Sequence, residues 1–124
     1  AVHYAKERVV FGRPIGMNQA IAHPLAASYA ELEAAELLWQ KAAWAFDQGH
    51  EVGALANIAK LRASEARYRA CDRAVQTFGG MGYATECNGE RYWRESRMSR
   101  IAPISNEMIL NFVSEHVLGL PRSY

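Results

Sequence analysis

Cysteine is scarce in this chain: 124 residues contain two, Cys71 and Cys87. They form no CxxC pair and have no histidine at metal-ligand spacing, so neither a disulfide framework nor a cysteine-held zinc is expected. Two small, buried or half-buried thiols fit a reducing compartment. The histidines are scattered and show no HExxH or facial-triad spacing, which leaves no metal site to expect. Neither GxSxG nor a Ser/His/Asp arrangement occurs. An excess of one charge is lacking too. The net charge is +1, which removes the broad electrostatic reason to expect nucleic acid or an anionic membrane as partner. No apolar run approaches the ~20 residues of a membrane span. The opening residues do not read as a signal peptide and do not begin with Met. Its first residues, AVHYAKERVVFG, read as the end of a helix, so the N-terminus is expected to be a fragment boundary. The C-terminal Pro121-Arg122-Ser123-Tyr124 is neither a peroxisomal nor a retention address.

Half of the residues are apolar and 22% are charged, a globular composition. At this length a single domain, residues 1–124, can bury roughly two-thirds of its unfolded surface. The periodicities are helical, and no strand is convincing. Residues 1 to about 10 continue a helix that Phe11-Gly12-Arg13-Pro14 breaks, since glycine permits positive φ and proline removes a donor. A long helix is predicted from about Met17 to Gln48, with Ile21, Leu25, Leu32, Ala35, Trp39, Ala42 and Phe46 as its apolar stripe. Pro24 lies near its start and Gly49 stops it. A second long helix runs from about Glu51 to Phe78 on Ala54, Ile58, Leu61, Tyr68, Cys71, Val75 and Phe78, and Gly79-Gly80-Met81-Gly82 ends it. Two shorter helices follow, about Gly89 to Met98 and about Asn106 to Leu118, with a Pro103-containing loop between them. The expected fold is all-α: an antiparallel up-and-down four-helix bundle of two long and two shorter helices.

Two segments carry more than a packing pattern. In Glu7-Arg8-Val9-Val10-Phe11-Gly12-Arg13-Pro14-Ile15 a guanidinium stands one helical turn before an aromatic at a chain break. Arg8 can grip a phosphate with a bidentate fork, with Phe11 as an aromatic surface beside it. A surface ion pair of Glu7 and a core phenylalanine would use the same residues. In Gln76-Thr77-Phe78-Gly79-Gly80-Met81-Gly82-Tyr83 a side-chain amide stands one turn before two glycines, whose backbone a flat polar ligand can approach closely. A tight interhelical turn would use them equally well. This segment follows a helix rather than a strand and lacks the GKS and GxGxxG patterns of phosphate loops.

Taken together and in order, these segments resemble the acyl-CoA dehydrogenase family. The family pattern Y-x-x-x-R-x-x-F-G-x-P-I, with a Gln seven residues after the Gly, is matched by Tyr4, Arg8, Phe11, Gly12, Pro14, Ile15 and Gln19. The pattern Q-x-x-G-G-x-G-[YF] is matched by Gln76, Gly79, Gly80, Gly82 and Tyr83. Arg91, Tyr92 and Arg94 resemble the R-x-[YF]-R-D segment that follows, with Glu95 in place of the Asp. The resemblance covers essentially the whole chain. It implies the C-terminal helical domain of a three-domain enzyme that binds FAD and oxidises an acyl-CoA to the trans-2-enoyl-CoA. In such enzymes a carboxylate removes the α-proton, the β-hydride passes to the flavin, and the electrons leave through an electron-transferring flavoprotein. The enzyme would be a homo-oligomer, a dimer or a tetramer, with FAD between subunits. It would act in the bacterial cytoplasm or, in a eukaryote, in the mitochondrial matrix. By the same resemblance Arg8 meets the FAD pyrophosphate, and Phe11 and Gln19 line the adenosine end. Gln76, Thr77, Phe78, Gly79 and Gly80 touch the same cofactor, and Ser105 and Glu107 stand at positions of flavin contact.

One departure bears on the chemistry. Many members carry Y-E-G-T, whose Glu is the catalytic base, and alignment puts Ala102, Pro103, Ile104 and Ser105 there. Proline cannot take a proton. Three explanations stand open: a base from a helix upstream of this segment, Glu107 one turn later as a substitute, or a reaction other than the usual dehydrogenation. The alternatives to an acyl-CoA dehydrogenase are accordingly another flavin-dependent oxidation on the same scaffold and a catalytically inactive helical interaction module.

Overall fold

The computed structural model describes residues 1–122, so the end of the C-terminal tetrapeptide read above for a targeting address lies outside the described residues. The chain is mostly helical. Helix α1 is Val2–Glu7, followed by a two-stranded hairpin of β1, Val9–Val10, and β2, Arg13–Pro14, and by a single 3-10 turn, Ile15–Met17. The long helices are α2, Gln19–Asp47, and α3, Gly53–Phe78. Then come a one-turn α4, Gly80–Tyr83, and α5, Gly89–Met98. Last is α6, Asn106–Phe112, whose winding loosens into a π-helix over Val113–Val117.

The hairpin overturns the expectation of a chain without strands, and the helix expected to run to residue 10 stops at Glu7. Phe11 and Gly12 both take positive φ, 53° and 76°, the pair of left-handed residues that a two-residue type I′ loop requires. That loop folds β1 back on β2, pairing Val10 with Arg13 and Val9 with Pro14. The glycine-rich segment is likewise more than a terminator. Gly79, at φ 61°, ends α3, and the residues after it wind one further turn. Gly82 seats that turn on α3, since a Cβ there would lie 2.6 Å from the Val75 carbonyl oxygen. The final helix is regular only to Phe112 and not to Leu118.

Between the long helices the chain reverses through a glycine cap. Gly49 has φ 75°, its N–H donates to the Phe46 carbonyl at 2.9 Å and the His50 N–H donates to the Ala45 carbonyl at 3.0 Å, the paired bonds of a Schellman motif. At the start of α3, Glu51 Oε1 accepts from the Gly53 N–H at 2.7 Å, placing a carboxylate where the helix dipole favours it.

Helix α3 is central: α2 packs along it on one side, and α5 and α6 pack on it elsewhere. The seam of α2 is Ser28, Glu31, Ala35, Leu38, Ala42 and Ala45, spaced alternately by three and four residues, the repeat of two helices in lengthwise contact. The predicted stripe shares Ala35 and Ala42 with this seam, and its Ile21 and Leu25 are half-buried ahead of it, but its other large members are not inward. Leu32, Trp39 and Phe46 lie outward, Phe46 with 70% of its surface exposed. Alanine lets the two backbones come close, and a close seam has no room for a tryptophan. Among the described residues, the buried apolar ones are the alanines Ala5, Ala35, Ala42, Ala45, Ala59 and Ala66 together with one large residue, Ile109. On α3 the predicted stripe holds, each of its seven residues being half-buried.

The interior is also charged. Arg69 donates from Nε to Glu31 Oε2 at 2.9 Å and from Nη1 to Glu65 Oε2 at 3.2 Å. Arg73 reaches Glu31 Oε1 at 3.3 Å and Ser28 Oγ at 3.1 Å. Glu65 Oε1 also accepts from Arg100 Nε at 2.7 Å and from Asn106 Nδ2 at 2.8 Å. Among the described residues no buried side-chain nitrogen or oxygen lacks a partner. The Arg69 hydrogen bond, followed by that of Arg73, holds the Glu31 carboxyl below the ordinary carboxylate value, with burial opposing in part. A carboxyl depressed by folding stabilises above its unfolded pKa, and that stability is lost as pH falls through the folded value. The window therefore opens near pH 4 and extends below it. Denaturant titrations from pH 7 down to pH 3 are expected to show Glu31→Gln less stable at pH 7 and less sensitive to acid. Parallel stability profiles for the two proteins would show that Glu31 contributes nothing through its charge.

Candidate functional site

The two motif segments meet through an aromatic pair. Tyr4 on α1 lies against Phe78 at the end of α3, ring centroids 5.1 Å apart and tilted by 53°. Arg8 follows Tyr4 by one turn and caps α1. Its carbonyl accepts from the Ile15 N–H at 2.8 Å, which ties the foot of the hairpin together. Arg13 Nη2 donates to Asn18 Oδ1 at 2.8 Å, and Asn18 Nδ2 donates to the Ile15 carbonyl at 3.1 Å. The hairpin is thus fixed to the start of α2, where Gln19 is the first residue.

Within this rigid frame the three candidate side chains of the first segment point into water. Arg8 is exposed, and its guanidinium has no partner among the described residues. Gln19 is exposed as well. Phe11 has 99% of its surface in water and a backbone in the left-handed region, where a bulky residue is strained by roughly 1–2 kcal/mol. An exposed aromatic on strained backbone contributes nothing to the stability of the chain that carries it.

The second segment divides. Gln76 is exposed. Thr77 turns inward, buried, with Oγ1 donating to the Arg73 carbonyl at 2.7 Å, so its hydroxyl is committed to the fold. Phe78 is half-buried against Tyr4. Gly79 is required by its positive φ, whereas Gly80 is not: its φ is ordinary and a Cβ there would meet nothing within 4 Å.

Ser105 and Glu107 lie apart from these groups. Ser105 is the N-cap of α6, its Oγ accepting from the Met108 N–H at 3.3 Å. Pro103 faces a small pocket that Lys60, Ser64 and Arg67 of α3 also line. Ser64 and Gln76 are twelve residues apart on one helix, roughly 18 Å at the rise of an α-helix. The Tyr4–Phe78 contact therefore brings α1, which Arg8 caps, to the Gln76–Gly80 end of α3, while Ser105 and Glu107 stand farther along that helix, beside Ser64. Glu107 has its carboxyl held below the ordinary value, first by its own backbone N–H and then by the Ser105 hydroxyl. It is exposed and ionised at the mouth of a helix, where a carboxylate is stabilised and a weak base.

Sequence reading missed Lys60, Glu65, Arg100 and Asn106, which hold the 100–107 segment. The signal was present in Glu65, Arg69 and Arg73, charged residues four apart on the inward face of a long helix. Their partners, distant in sequence, left no such trace. Among the described residues no group of three or more His, Cys, Asp or Glu could hold a metal ion, and no helix is long and apolar enough to cross a membrane. Cys71 and Cys87 are both free and half-buried.

Residues 1–118 match the family model for the acyl-CoA dehydrogenase C-terminal domain. The chain is 51% identical over 126 aligned residues to the acyl-CoA dehydrogenase FadE12 of Mycobacterium tuberculosis, covering 100% of the chain and 32% of that relative. Among solved structures, butyryl-CoA dehydrogenase from Megasphaera elsdenii is similar with a TM-score of 0.91 at 37% identity, over 94% of this chain and 30% of that one. The FAD complex of PigA is similar with a TM-score of 0.91 at 31% identity, over 96% and 31%. The chain spans about a third of the length of these relatives.

The geometry of Phe11 has a measurable consequence. Asn-Gly is the pair a type I′ loop prefers, so Phe11→Asn is expected to stabilise this chain by about 1 kcal/mol in chemical denaturation. A loss of stability on that substitution would show that the ring packs on the fold after all.

Proposed function

This chain belongs to the acyl-CoA dehydrogenase family as its C-terminal domain, and on that premise we propose that it supplies FAD contacts across a subunit interface in an enzyme that converts an acyl-CoA to the trans-2-enoyl-CoA. The observation that carries this reading is the pairing of Arg8 with Phe11. Among the described residues the guanidinium has no partner, and the ring stands in water on strained backbone. A diphosphate beside a flat ring system gives both a use. Gly80, a glycine with open space where a Cβ would stand, fits close approach of the same group.

When bound, FAD supplies the acceptor for the hydride that leaves the β-carbon. The chain's own residues bind and orient it. Arg8 neutralises the pyrophosphate through its planar fork, and Phe11 and Gln19 line the adenosine end. Gln76 offers a side-chain amide, and Gly79 and Gly80 offer backbone. Thr77 contributes main chain only, because its hydroxyl is already bonded to Arg73. Phe78 acts through Tyr4, holding the end of α3 against α1. Ser105 and Glu107, farther along α3, make a separate contact with the flavin. The depressed Glu107 carboxyl is a poor base, so we assign removal of the α-proton to a carboxylate outside this segment.

The wider reading includes a homo-oligomer, dimer or tetramer, with an acyl-CoA as substrate and an electron-transferring flavoprotein as electron acceptor. Exposed Tyr29, Trp39, Trp44 and Phe46 on α2 support assembly, since large outward apolar groups favour association. The up-and-down four-helix bundle belongs to the same reading, with α2, α3, α5 and α6 as its members. So does the compartment, bacterial cytoplasm or mitochondrial matrix, where free thiols persist. Pro103 favours a second reading, another flavin-dependent oxidation on this scaffold. The full-length protein distinguishes the two: anaerobic bleaching of its flavin by an acyl-CoA supports the dehydrogenase, and a flavin that stays oxidised overturns it.

Two substitutions in the full-length protein test the residue roles. Arg8→Ala is expected to weaken FAD binding to the apoprotein by about 1.5–3 kcal/mol, the worth of a charged hydrogen bond, with Arg8→Lys restoring part of it. Unchanged flavin affinity in Arg8→Ala would make Arg8 a mere surface cation. Glu107→Gln is expected to leave α-proton exchange of a bound acyl-CoA within about tenfold of wild type, where loss of a general base costs on the order of 10²–10⁴. Abolished exchange with FAD still bound would make Glu107 the base.

A further inference from the structure

Three residues of α3 grip one short segment at several points. Lys60 Nζ donates to the Ile104 carbonyl at 2.6 Å and to Asn106 Oδ1 at 2.9 Å. Ser64 Oγ donates to the same Oδ1 at 3.0 Å. Glu65 Oε1 accepts from Asn106 Nδ2 at 2.8 Å and from Arg100 Nε at 2.7 Å. The segment is closed on itself as well, the Asn106 N–H donating to the Arg100 carbonyl at 3.1 Å. Connecting loops ordinarily leave their backbone carbonyls to water. Here an ammonium takes one of them, and Asn106 beside it is buried.

Lys60 differs from its neighbours in what its bonds serve. Glu65 also carries the ion pair to Arg69, so its loss would spread through the interior. Lys60 makes no ion pair among the described residues, and its hydrogen bonds run to Ile104 and Asn106, the two residues that flank Ser105. Holding both flanks fixes Ser105 and, one residue beyond Asn106, Glu107. We propose that Lys60 is a positioning residue, which sets where Ser105 and Glu107 meet the flavin without touching the cofactor itself. The proposal rests on the reading of those two residues as flavin contacts. Its chemistry follows from the ammonium, which offers three rotatable donors from a flexible stem and can bridge a carbonyl and an amide oxygen that a carboxylate-paired cation would not release.

The test uses full-length enzyme, with FAD affinity measured by fluorescence titration of the apoprotein and the flavin surroundings read by visible circular dichroism. Lys60→Met keeps the stem and removes the donors; Lys60→Gln, a shorter neutral donor, is made in parallel in case the first does not fold. Either is expected to weaken FAD binding about tenfold or more, the scale of one charged hydrogen bond, and to alter the dichroism, while Lys60→Arg recovers most of both. In a Ser105→Ala/Glu107→Gln background the Lys60 substitution is expected to add nothing, and in an Arg8→Ala background to keep its full effect. The same loss in the Ser105→Ala/Glu107→Gln background as in wild type, or FAD affinity unchanged in Lys60→Met, overturns the positioning role alone. FAD affinity and dichroism unchanged by Ser105→Ala/Glu107→Gln itself overturn the reading of flavin contacts, and the positioning role with it.

Discussion

Glu65 accepts hydrogen bonds from Arg69, Arg100 and Asn106, and through that one carboxylate the central helix is tied to the loop before α6 and to α6 itself. Arg69 passes the connection on to Glu31 of α2. Charges of alternating sign thus run from α2 through α3 to the loop before α6. The Glu65 side chain is 22% exposed and that of Arg69 36% exposed, so neither is stripped fully of water and the cost of burial is moderate. Removing one member would leave its partners half-buried and unmatched, which is far more expensive than the pair is favourable. The exposed pair His3–Glu7 has no such leverage, since solvent competes with it on both sides.

An interior held by alanine and by charge frees the large apolar side chains for other uses. Along α2 the heptad seam is built mainly of small residues, Glu31 and Leu38 being the larger members, because two helices in close contact leave little volume for more. Trp39, Trp44 and Phe46 are consequently turned outward. Aromatic surface left in water is unfavourable in a free monomer, and covering it with another surface is favourable. The same trade appears at the hairpin on a smaller scale. Phe11 sits at the tip of a loop whose geometry suits Asn or Gly, on a frame made rigid by Tyr4, Phe78, Arg13 and Asn18. Rigidity in the frame together with disuse of the side chain is the arrangement expected of a binding element, because a contact held in place beforehand loses little entropy when the ligand arrives.

Much of this was legible in order along the chain. The two long helices, the glycine that turns one into the other and the short helix α5 were readable because helix periodicity and capping are local, set within four or five residues. The two candidate segments were readable for a similar reason, each being a run of residues with fixed local spacing. The hairpin was not. Nothing in Val9-Val10-Phe11-Gly12-Arg13-Pro14 carries the Asn-Gly or Asp-Gly signal of a type I′ loop, and a phenylalanine in the left-handed region is a choice that local preference argues against.

The amino-acid sequence by itself determined, to within a residue or two, where the two long helices and α5 begin and end, and which residue types were candidates to bind. Tertiary structure decided which face of α2 is interior. A helix of 29 residues carries more than one apolar stripe, and the partner's shape selects the one that packs closest, here the alanines rather than the tryptophans. It also decided that Lys60, Glu65, Arg100 and Asn106 act together, and that Ser105 and Glu107 stand far along α3 from Gln76 and Gly80. Hydrogen bonds between residues more than forty positions apart, such as Lys60 to Asn106, leave no periodicity to read. They exist only because the chain has already folded back on itself, and the direction in which a side chain then points is set by the neighbours it meets.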